Sequence, residues 1–494
     1  KKLMRLLNGR KSIRDFIQEE ERDLKLPKSS LDGSRDTVIP KNIDDISDDL
    51  ALKMRLKAGE QLCAVGLTKR LGGKRFECIQ DGNDTRLEAF PSVVRIALDP
   101  WVRGIVNSGG EARRILDEIK GICKDRENIA QMSGKWSNDK PRYPDFPFDG
   151  HVLHISQVDS IVNASKKEND KKKKAGAGMK GWETRLTDDD RNALMEIRCL
   201  AERLQKSGTT KRGEKGLGFG KPERYYAILL ADGDRMGKVI STIKEEEDHI
   251  SFSDSLSQFA DKARAIVERY NGCMVYSGGD DVLAFLPLDC CLQAARSLHE
   301  CFGDLLREYE IPDSDQDGTK TKSPTLSIGI AIGHSMESLE DMLEFVREAE
   351  NAAKKGINSK DERNGLAIHV HPRSGVPIEI RQQWNAAGEN GLDERLQKWA
   401  KMYNDEELPD KAAYDLHELA EDYRNWSTST DEDREHLGSI ISDDALRLLK
   451  RKRASHGKKA LNEEVIEGFR NMLKGIDSYE GIRRLADELI IARR

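Results

Sequence analysis

The strongest constraint on the fold is the stretch Cys273–Leu288, which reads CMVYSGGDDVLAFLPL. Two apolar runs flank the sequence Gly-Gly-Asp-Asp, and this pattern predicts two buried strands joined by a tight turn. Gly278 and Gly279 supply the positive φ angles that short hairpin turns require. A turn does not explain Asp280 and Asp281, because adjacent carboxylates repel each other unless a cation neutralises them. The stretch therefore predicts both a hairpin and a candidate metal site.

The pattern around this hairpin predicts a ferredoxin-like α+β domain. The continuous apolar run YYAILLAD is typical of a buried central strand that ends at Asp232. Apolar residues recur at helical spacing in 253–270, 290–308 and 339–355, and the segments TLSIGIAIG and LAIHVHP are further predicted strands. The resulting order, β-α-β-β-α-β-α-β, contains the ferredoxin-like arrangement of polymerase and nucleotide-cyclase palms.

A third carboxylate completes the candidate metal site. The first strand of a palm lies beside the central hairpin, so we expect Asp232 close to Asp280 and Asp281. Carboxylate oxygens suit Mg²⁺ (or Mn²⁺), which takes one or two of them and leaves other positions to substrate phosphates. Such ions activate an attacking hydroxyl and stabilise departing pyrophosphate. The pattern predicts metal-dependent nucleotidyl transfer with Asp280 and Asp281 as catalytic residues; the alternative is a structural, inactive palm.

Phosphate contacts are predicted around the same turn. Glycine lets a ligand approach the backbone closely, so Gly278 and Gly279 are candidate contacts for a triphosphate. Lys354 and Lys355 end a predicted helix, where they either bind phosphate as point charges or interact with the helix dipole. The candidate nucleotide-binding residues are Ser277, Gly278, Gly279, Asp234 and Lys354.

Composition restricts the remaining possibilities. The 494 residues predict three or four domains, and the net charge of −6 gives no overall electrostatic case for nucleic-acid binding. Basic segments at 1–14 and 165–183 are candidate RNA contacts, and we expect the second to be a flexible loop. No apolar run of about 18 residues and no signal peptide is present, so we expect a cytoplasmic protein without membrane contact.

These motifs resemble those of a known family. The segments YYAILLADGDRMGK, MVYSGGDDVLAFLPL, TLSIGIAIGH, AENAAKK and HPRSG are similar to the second palm of the large polymerase/cyclase subunit of type III CRISPR–Cas effector complexes, in the III-B (Cmr) branch. The upstream segments GRKSIRDF, AGEQLCAVGLTKRL and FPSVVRIAL also resemble that branch. The resemblance implies that the palm binds ATP and makes cyclic oligoadenylates once guide crRNA pairs with target RNA. It also implies other Cmr subunits as partners, Asp232 as a metal ligand and a phosphate contact for Lys354.

The chain departs from that family in three ways. No His-Asp dipeptide occurs, so DNA cleavage by an HD nuclease is not expected. No convincing first palm is visible, and cyclase activity is expected to need it. The family's zinc cysteines are replaced at Ser29, Asp32 and Gly66, which leaves Cys63 alone; we therefore expect no zinc.

We predict four segments. Residues 1–86 are a helical, former zinc-finger-like region, and residues 87–220 are a mixed α/β linker domain with the flexible Lys- and Gly-rich loop. Residues 221–373 are the palm, preceded by a flexible Gly-rich linker at 213–222. Residues 374–494 are a helical C-terminal domain. Its predicted core anchors are Trp384, Trp399, Tyr403, Leu419 and Trp426.

Two alternatives to a cyclic oligoadenylate synthetase stay open. Diguanylate-cyclase-like proteins share the strand aspartate and the Gly-Gly-Asp turn, although they usually end that turn in Glu-Phe, where this chain has Asp281-Val282. A catalytically silent scaffold that organises guide RNA and partner subunits is the other alternative.

Overall fold

The fold comes from a computed structural model that describes residues 26–30, 35–40, 61–72, 77–80, 83–86, 90–126, 128–129, 143–172, 186–312, 321–355, 363–384, 391–405, 407–409, 411–426, 431–451, 463–473, 476 and 478–493. The chain forms two compact units. The first contains Lys1–Ala89, Trp136–Arg142 and Asp159–Ala193, and the second contains Phe90–Lys135, Tyr143–Val158 and Leu194–Arg494. The four segments defined from the sequence stay a prediction, and residues 173–185 of the Lys- and Gly-rich loop lie outside the described residues.

The described part of the first unit includes helix α1 (Ala64–Gly72) and a hairpin of β1 (Glu77–Gln80) and β2 (Asn83–Arg86). The N–H of Ser30 donates to the carbonyl of Gln61 at 2.7 Å, and the N–H of Gly66 donates to Cys63 Sγ at 3.3 Å. Strand structure is therefore present in a segment for which the sequence indicated helices. Ser29 and Cys63 are buried, and Asp32 lies outside the described residues; the absence of zinc stays a prediction.

Among the described residues, four further helices lie between β2 and the palm: α2 (Val93–Ser108), α3 (Gly110–Asp125), α4 (Ile155–Lys172) and α5 (Asp188–Gln205). Helix α2 begins where the side chain of Ser92 accepts a hydrogen bond from the N–H of Arg95. The Gly-rich segment after α5 is ordered, because its N–H groups satisfy the last carbonyls of that helix. Leu217 donates to Arg203, Gly218 to Lys206, and Phe219 to Leu204 at 2.8–2.9 Å. The prediction of a flexible linker at 213–222 is wrong for this reason.

The core of the second unit is a six-stranded mixed sheet. The chain contains β3 (Tyr225–Gly233), β4 (Cys273–Gly278), β5 (Asp281–Leu286), β6 (Ile311–Pro312), β7 (Thr321–Lys322), β8 (Leu326–His334), β9 (Gly365–His371) and β10 (Ile378–Gln383). The sheet has the order β10-β9-β8-β3-β5-β4, and β6 pairs with β7 separately. Only β8 and β9 run parallel within the large sheet. The order β8-β3-β5-β4 is the ferredoxin-like arrangement, which confirms the predicted fold class. Strand β10 lies in the segment predicted to be entirely helical.

Helices cover both faces of this sheet. The segment holds α6 (Met236–Thr242), α7 (Glu246–Arg269), α8 (Cys291–Leu305) and α9 (Leu339–Lys354). The face of the sheet that carries Leu229 and Ala231 packs with Phe259 of α7 and Phe302 of α8. The opposite face packs with helices α2 and α9. Strand residues therefore alternate between two cores, as the continuous apolar runs predict.

An ion-pair network that is buried within α2 and partly exposed at its far end links α2 to the palm. Arg95 is 1% exposed, and it donates to Asp99 at 3.1 Å and to the carbonyl of Phe146 at 3.1 Å. Burial lowers the pKa of Arg95 although Asp99 raises it. Arg103 links Asp99 (2.7 Å) to Asp289 (2.8 Å), which precedes α8. This chain of charges fixes the position of α2 relative to the sheet.

Helices complete the described chain: α10 (Leu392–Asn404), α11 (Ala412–Tyr423), α12 (Asp431–Arg451), α13 (Glu463–Leu473) and α14 (Tyr479–Ala492). Trp399 stacks on Phe469 at 4.9 Å inside their core, where Tyr403 and Leu419 are partly buried. Trp384 is buried in the core of the palm, whereas Trp426 is 57% exposed and is not a core anchor. None of the helices in the described part of the chain has the length and apolarity needed to cross a bilayer.

Candidate active site

Three carboxylates converge where strands β3, β4 and β5 end or begin. The register pairs Ala231 with Val282, so the next position along both strands places Asp232 beside Asp281. Asp280 belongs to the adjoining turn. Each of the three aspartates offers one oxygen, and these oxygens all lie within 4.8 Å of one another. Within the described ranges, this is the one group of three or more acidic, histidine or cysteine side chains with such geometry.

The turn that carries Asp280 is tight. Gly278 pairs with Asp281, so Gly279 and Asp280 are its two central residues, and Gly279 has φ +80°. Positive φ at the first central residue is typical of a type II′ hairpin turn, for which glycine is the preferred residue. Gly233 allows the turn to approach β3, since a Cβ at Gly233 would lie 2.8 Å from the Cβ of Asp280. The site thus depends on one glycine in the turn and another opposite it.

Burial and neighbouring charge raise the pKa of Asp280 and of Asp281. Burial raises the pKa of Asp280, with a contribution from the charge of Asp232. Burial, a hydrogen bond with Asp232 and the charges of Asp232 and Asp280 raise the pKa of Asp281 to about 7. Binding a cation would relieve this repulsion.

In the part of the chain that the structure describes, Lys354 is the cationic side chain that lies against the cluster. Lys354, at the end of α9, places its Nζ 2.5 Å from Asp232 Oδ2 and also pairs with Glu350 one helical turn earlier. Burial lowers the pKa of Lys354, but the hydrogen bonds to Asp232 and Glu350 raise it above its usual value overall. Lys354 therefore stays charged and partly neutralises the three aspartates.

Asp234, two residues beyond Asp232, has a different environment. It is 2% exposed, and its carboxylate accepts hydrogen bonds from Thr325 Oγ1 (2.7 Å), Ser327 Oγ (2.8 and 2.9 Å) and the N–H of Asn364 (2.9 Å). Asn364 has φ +62°, and His299 hydrogen-bonds its side chain at 2.7 Å. Burial raises the pKa of Asp234 although these hydrogen bonds lower it. Asp234 thus joins the end of β3 to the starts of β8 and β9.

The remaining predicted residues lie on two faces of the sheet. Ser277 donates to the carbonyl of Ala260 at 3.1 Å, so its hydroxyl anchors α7. Gly278 lies on the same face as Asp281, and the ring of Tyr276 occupies the space beside it, since a Cβ there would lie 1.9 Å from the Tyr276 hydroxyl oxygen. The structure therefore brings together Asp232, Asp280, Asp281, Lys354, Gly278 and Gly279, and it places Ser277 and Asp234 in packing contacts.

Three residues of the site were not predicted from the sequence. Gly233 and Tyr276 are adjacent to predicted residues, and their contacts arise only when β3, β4 and the turn assemble. Glu350 carried a detectable signal, because it lies four residues before Lys354 on a predicted helix.

The donor set fits a hard divalent cation. It consists of carboxylate oxygens without nitrogen or sulfur, the ligand type that Mg²⁺ and Mn²⁺ prefer. Three aspartates carry more negative charge than Lys354 neutralises, and this charge adds to the effect of burial in raising the pKa of Asp281. Asp232, Asp280 and Asp281 would hold the ion.

Comparison with known proteins shows what this domain is similar to. Residues 225–367 match the sequence model of the Cas10/Cmr2 second palm domain. The match confirms the family resemblance of the palm motifs. The Cmr subunit Cmr2 of the CRISPR system of Pyrococcus furiosus is 34% identical to this chain over 182 residues, which cover 32% of this chain and 20% of Cmr2. The match thus spans about a fifth of the length of that relative.

Two solved structures align with most of the chain at low identity. A chain of type III-B Cmr-beta bound to cognate target RNA has 13% identity and a TM-score of 0.48, with 92% of this chain and 55% of that chain covered. A chain of type III-B Cmr-beta in the apo state has 12% identity and a TM-score of 0.49, with 94% and 57% covered.

Proposed function

We propose that this chain is part of the large subunit of a type III-B CRISPR effector complex. In this proposal the Cas10/Cmr2 palm converts ATP to cyclic oligoadenylates when target RNA is bound. The observation that carries the proposal is the convergence of Asp232, Asp280 and Asp281 within 4.8 Å in a palm of that family. A purely structural hairpin has no need of three crowded carboxylates, whose mutual repulsion is costly.

The reaction joins two ATP molecules. The 3′-hydroxyl of one attacks the α-phosphorus of the other, the hydroxyl loses its proton, and the bond to pyrophosphate breaks. When bound, Mg²⁺ or Mn²⁺ would lower the pKa of the attacking hydroxyl and neutralise charge on the departing pyrophosphate. The palm would contribute mainly positioning and electrostatic stabilisation.

The side chains of this site have distinct roles in the proposed reaction. Asp232, Asp280 and Asp281 would hold the cation, and the open backbone at Gly279 admits phosphate oxygens. Lys354, which pairs with Asp232 beside the turn, would neutralise phosphate charge of a bound nucleotide. Asp234 keeps the end of β3 in place rather than touching the nucleotide.

The partners in this proposal are guide crRNA, target RNA and other Cmr subunits, in the cytoplasm. A decisive assay uses the complete subunit assembled with them, labelled ATP and Mg²⁺, with and without target RNA. We expect cyclic products only with target RNA, and none from Asp280→Ala/Asp281→Ala. The matched control, Asp188→Ala/Asp189→Ala, removes two adjacent aspartates at the start of α5 and should keep full activity. A double palm variant that still makes product would refute the assignment, and a complex without any nucleotide product would favour a scaffold.

A further inference from the structure

Among the described residues, one face of the sheet is only partly covered beside the carboxylates. Leu230 of β3 pairs with Leu283 of β5. Each leucine is two residues from an aspartate, Asp232 or Asp281, and therefore lies on the same face of the sheet as that aspartate. Both leucines are only partly buried, whereas Leu229 on the other face is fully buried. Helices α2 and α9 therefore leave a strip of apolar sheet surface between them that leads to the aspartates.

Tyr276 borders this strip. It pairs with Leu283 and follows a β-bulge after Met274, so the alternation of β4 is broken and Val275 and Tyr276 are 46% and 53% exposed. Its ring leans along the strand over Gly278, where a Cβ would lie 2.3 Å from the ring carbon that bears the hydroxyl. Any side chain at position 278 would displace the ring. An exposed aromatic ring thus lies next to the catalytic turn, at the edge of an apolar floor.

We propose that Tyr276, with Leu230 and Leu283 below it, is the platform on which the nucleobase of the substrate nucleotide stacks. The inference rests on the proposed function, which places the phosphates at the aspartates. Two residues of strand separate Tyr276 from Gly278, or about 6.6 Å, a span that the ribose bridges between base and phosphate. Stacking on a tyrosine face accepts any base, so this platform supplies affinity without selecting adenine over guanine.

Calorimetric titration of the full chain in Mg²⁺ with ATP, GTP and inorganic tripolyphosphate tests the platform. Loss of one stacked base weakens binding about tenfold to hundredfold. We therefore expect Tyr276→Ala to bind ATP and GTP weaker by this factor and tripolyphosphate as well as the wild type does. Tyr276→Phe keeps the ring and should bind ATP like the wild type. Tyr414→Ala removes a tyrosine that is 50% exposed on α11 and should change nothing.

The outcomes separate this inference from the proposed function. If Tyr276→Ala binds ATP as tightly as the wild type, the platform is wrong while the nucleotide site stands. If the variant loses tripolyphosphate as severely as ATP, the tyrosine supports the turn and stacks on no base. If the wild type binds ATP and GTP no more tightly than tripolyphosphate, the base adds no affinity and the platform is also wrong. A wild-type chain that binds none of the three ligands would remove the nucleotide site and the platform together.

Discussion

Exchanging Asp234 for alanine should unfold the start of β8 without touching the metal site directly. The substitution leaves three donors without an acceptor: the hydroxyls of Thr325 and Ser327 and the N–H of Asn364. An unsatisfied buried donor such as the Ser327 hydroxyl costs about 1–3 kcal/mol, and the partly buried donors of Thr325 and Asn364 cost less. Alanine also removes a carboxylate whose burial raises its pKa, and this gain offsets part of the loss. We expect a net loss of about 3–4 kcal/mol in the free energy of unfolding of this region.

Hydrogen exchange of the β8 amides measures this loss within a multidomain chain. Since 1.36 kcal/mol corresponds to a factor of ten, protection should fall by about 100- to 1,000-fold. Asp234→Asn keeps one acceptor oxygen and should lose less than half of this free energy. The matched control is Asp232→Ala, because the side chain of Asp232 is 32% exposed. This variant should keep the protection of the β8 amides within about tenfold of the wild type and lose metal binding. Equal protection in the two alanine variants would refute the division of roles between Asp232 and Asp234.

Three further predictions concern the cation. Because Asp281 must lose its proton to bind metal, Mn²⁺ affinity should rise with pH up to the pKa of about 7 and level off above it, as paramagnetic resonance titration can show. Asp232→Asn removes a repelling charge and should lower the pKa of Asp281, whereas Lys354→Gln should raise it and weaken tripolyphosphate binding. Carboxyl NMR titration without metal measures this pKa, and a value unchanged in both variants would contradict the electrostatic account. Gly233→Ala should displace Asp280 and weaken Mn²⁺ binding at least about tenfold. Hydrogen exchange of the β8 amides should stay as in the wild type. Unchanged Mn²⁺ affinity would show that the site does not need the close approach of the turn to Gly233.

The palm was predictable because its signals are local. The apolar runs on either side of a two-residue turn determine the hairpin register, and a strand that ends in an aspartate beside that hairpin places Asp232. The ATP-binding roles of Gly278, Gly279 and Lys354 stay predictions: Lys354 and Gly279 border the three aspartates, whereas the Tyr276 ring lies over Gly278.

The other features depend on partners distant in the sequence. Asp234 looks like a second ligand in the pattern Asp-Gly-Asp, yet its hydrogen bonds come from β8 and from the loop before β9. The Gly-rich segment near Gly218 is ordered by carbonyls of α5, a contact that composition does not reveal. In strand β10 apolar and polar residues alternate only at Ile378 and Ile380, which is too short a pattern to predict a strand. The strand forms because it pairs with β9.

The single parallel pair of the sheet gives α9 a further property. Strand β8 runs away from the aspartates and β9 starts again beside them, so α9 must carry the chain back across the sheet. Its 16 residues span about 24 Å and end at Lys354. The length of the helix therefore determines where Lys354 lies. Removing one residue would turn Lys354 by about 100° away from Asp232. Insertions and deletions in related chains should consequently fall in the connections on either side of this helix and spare its length.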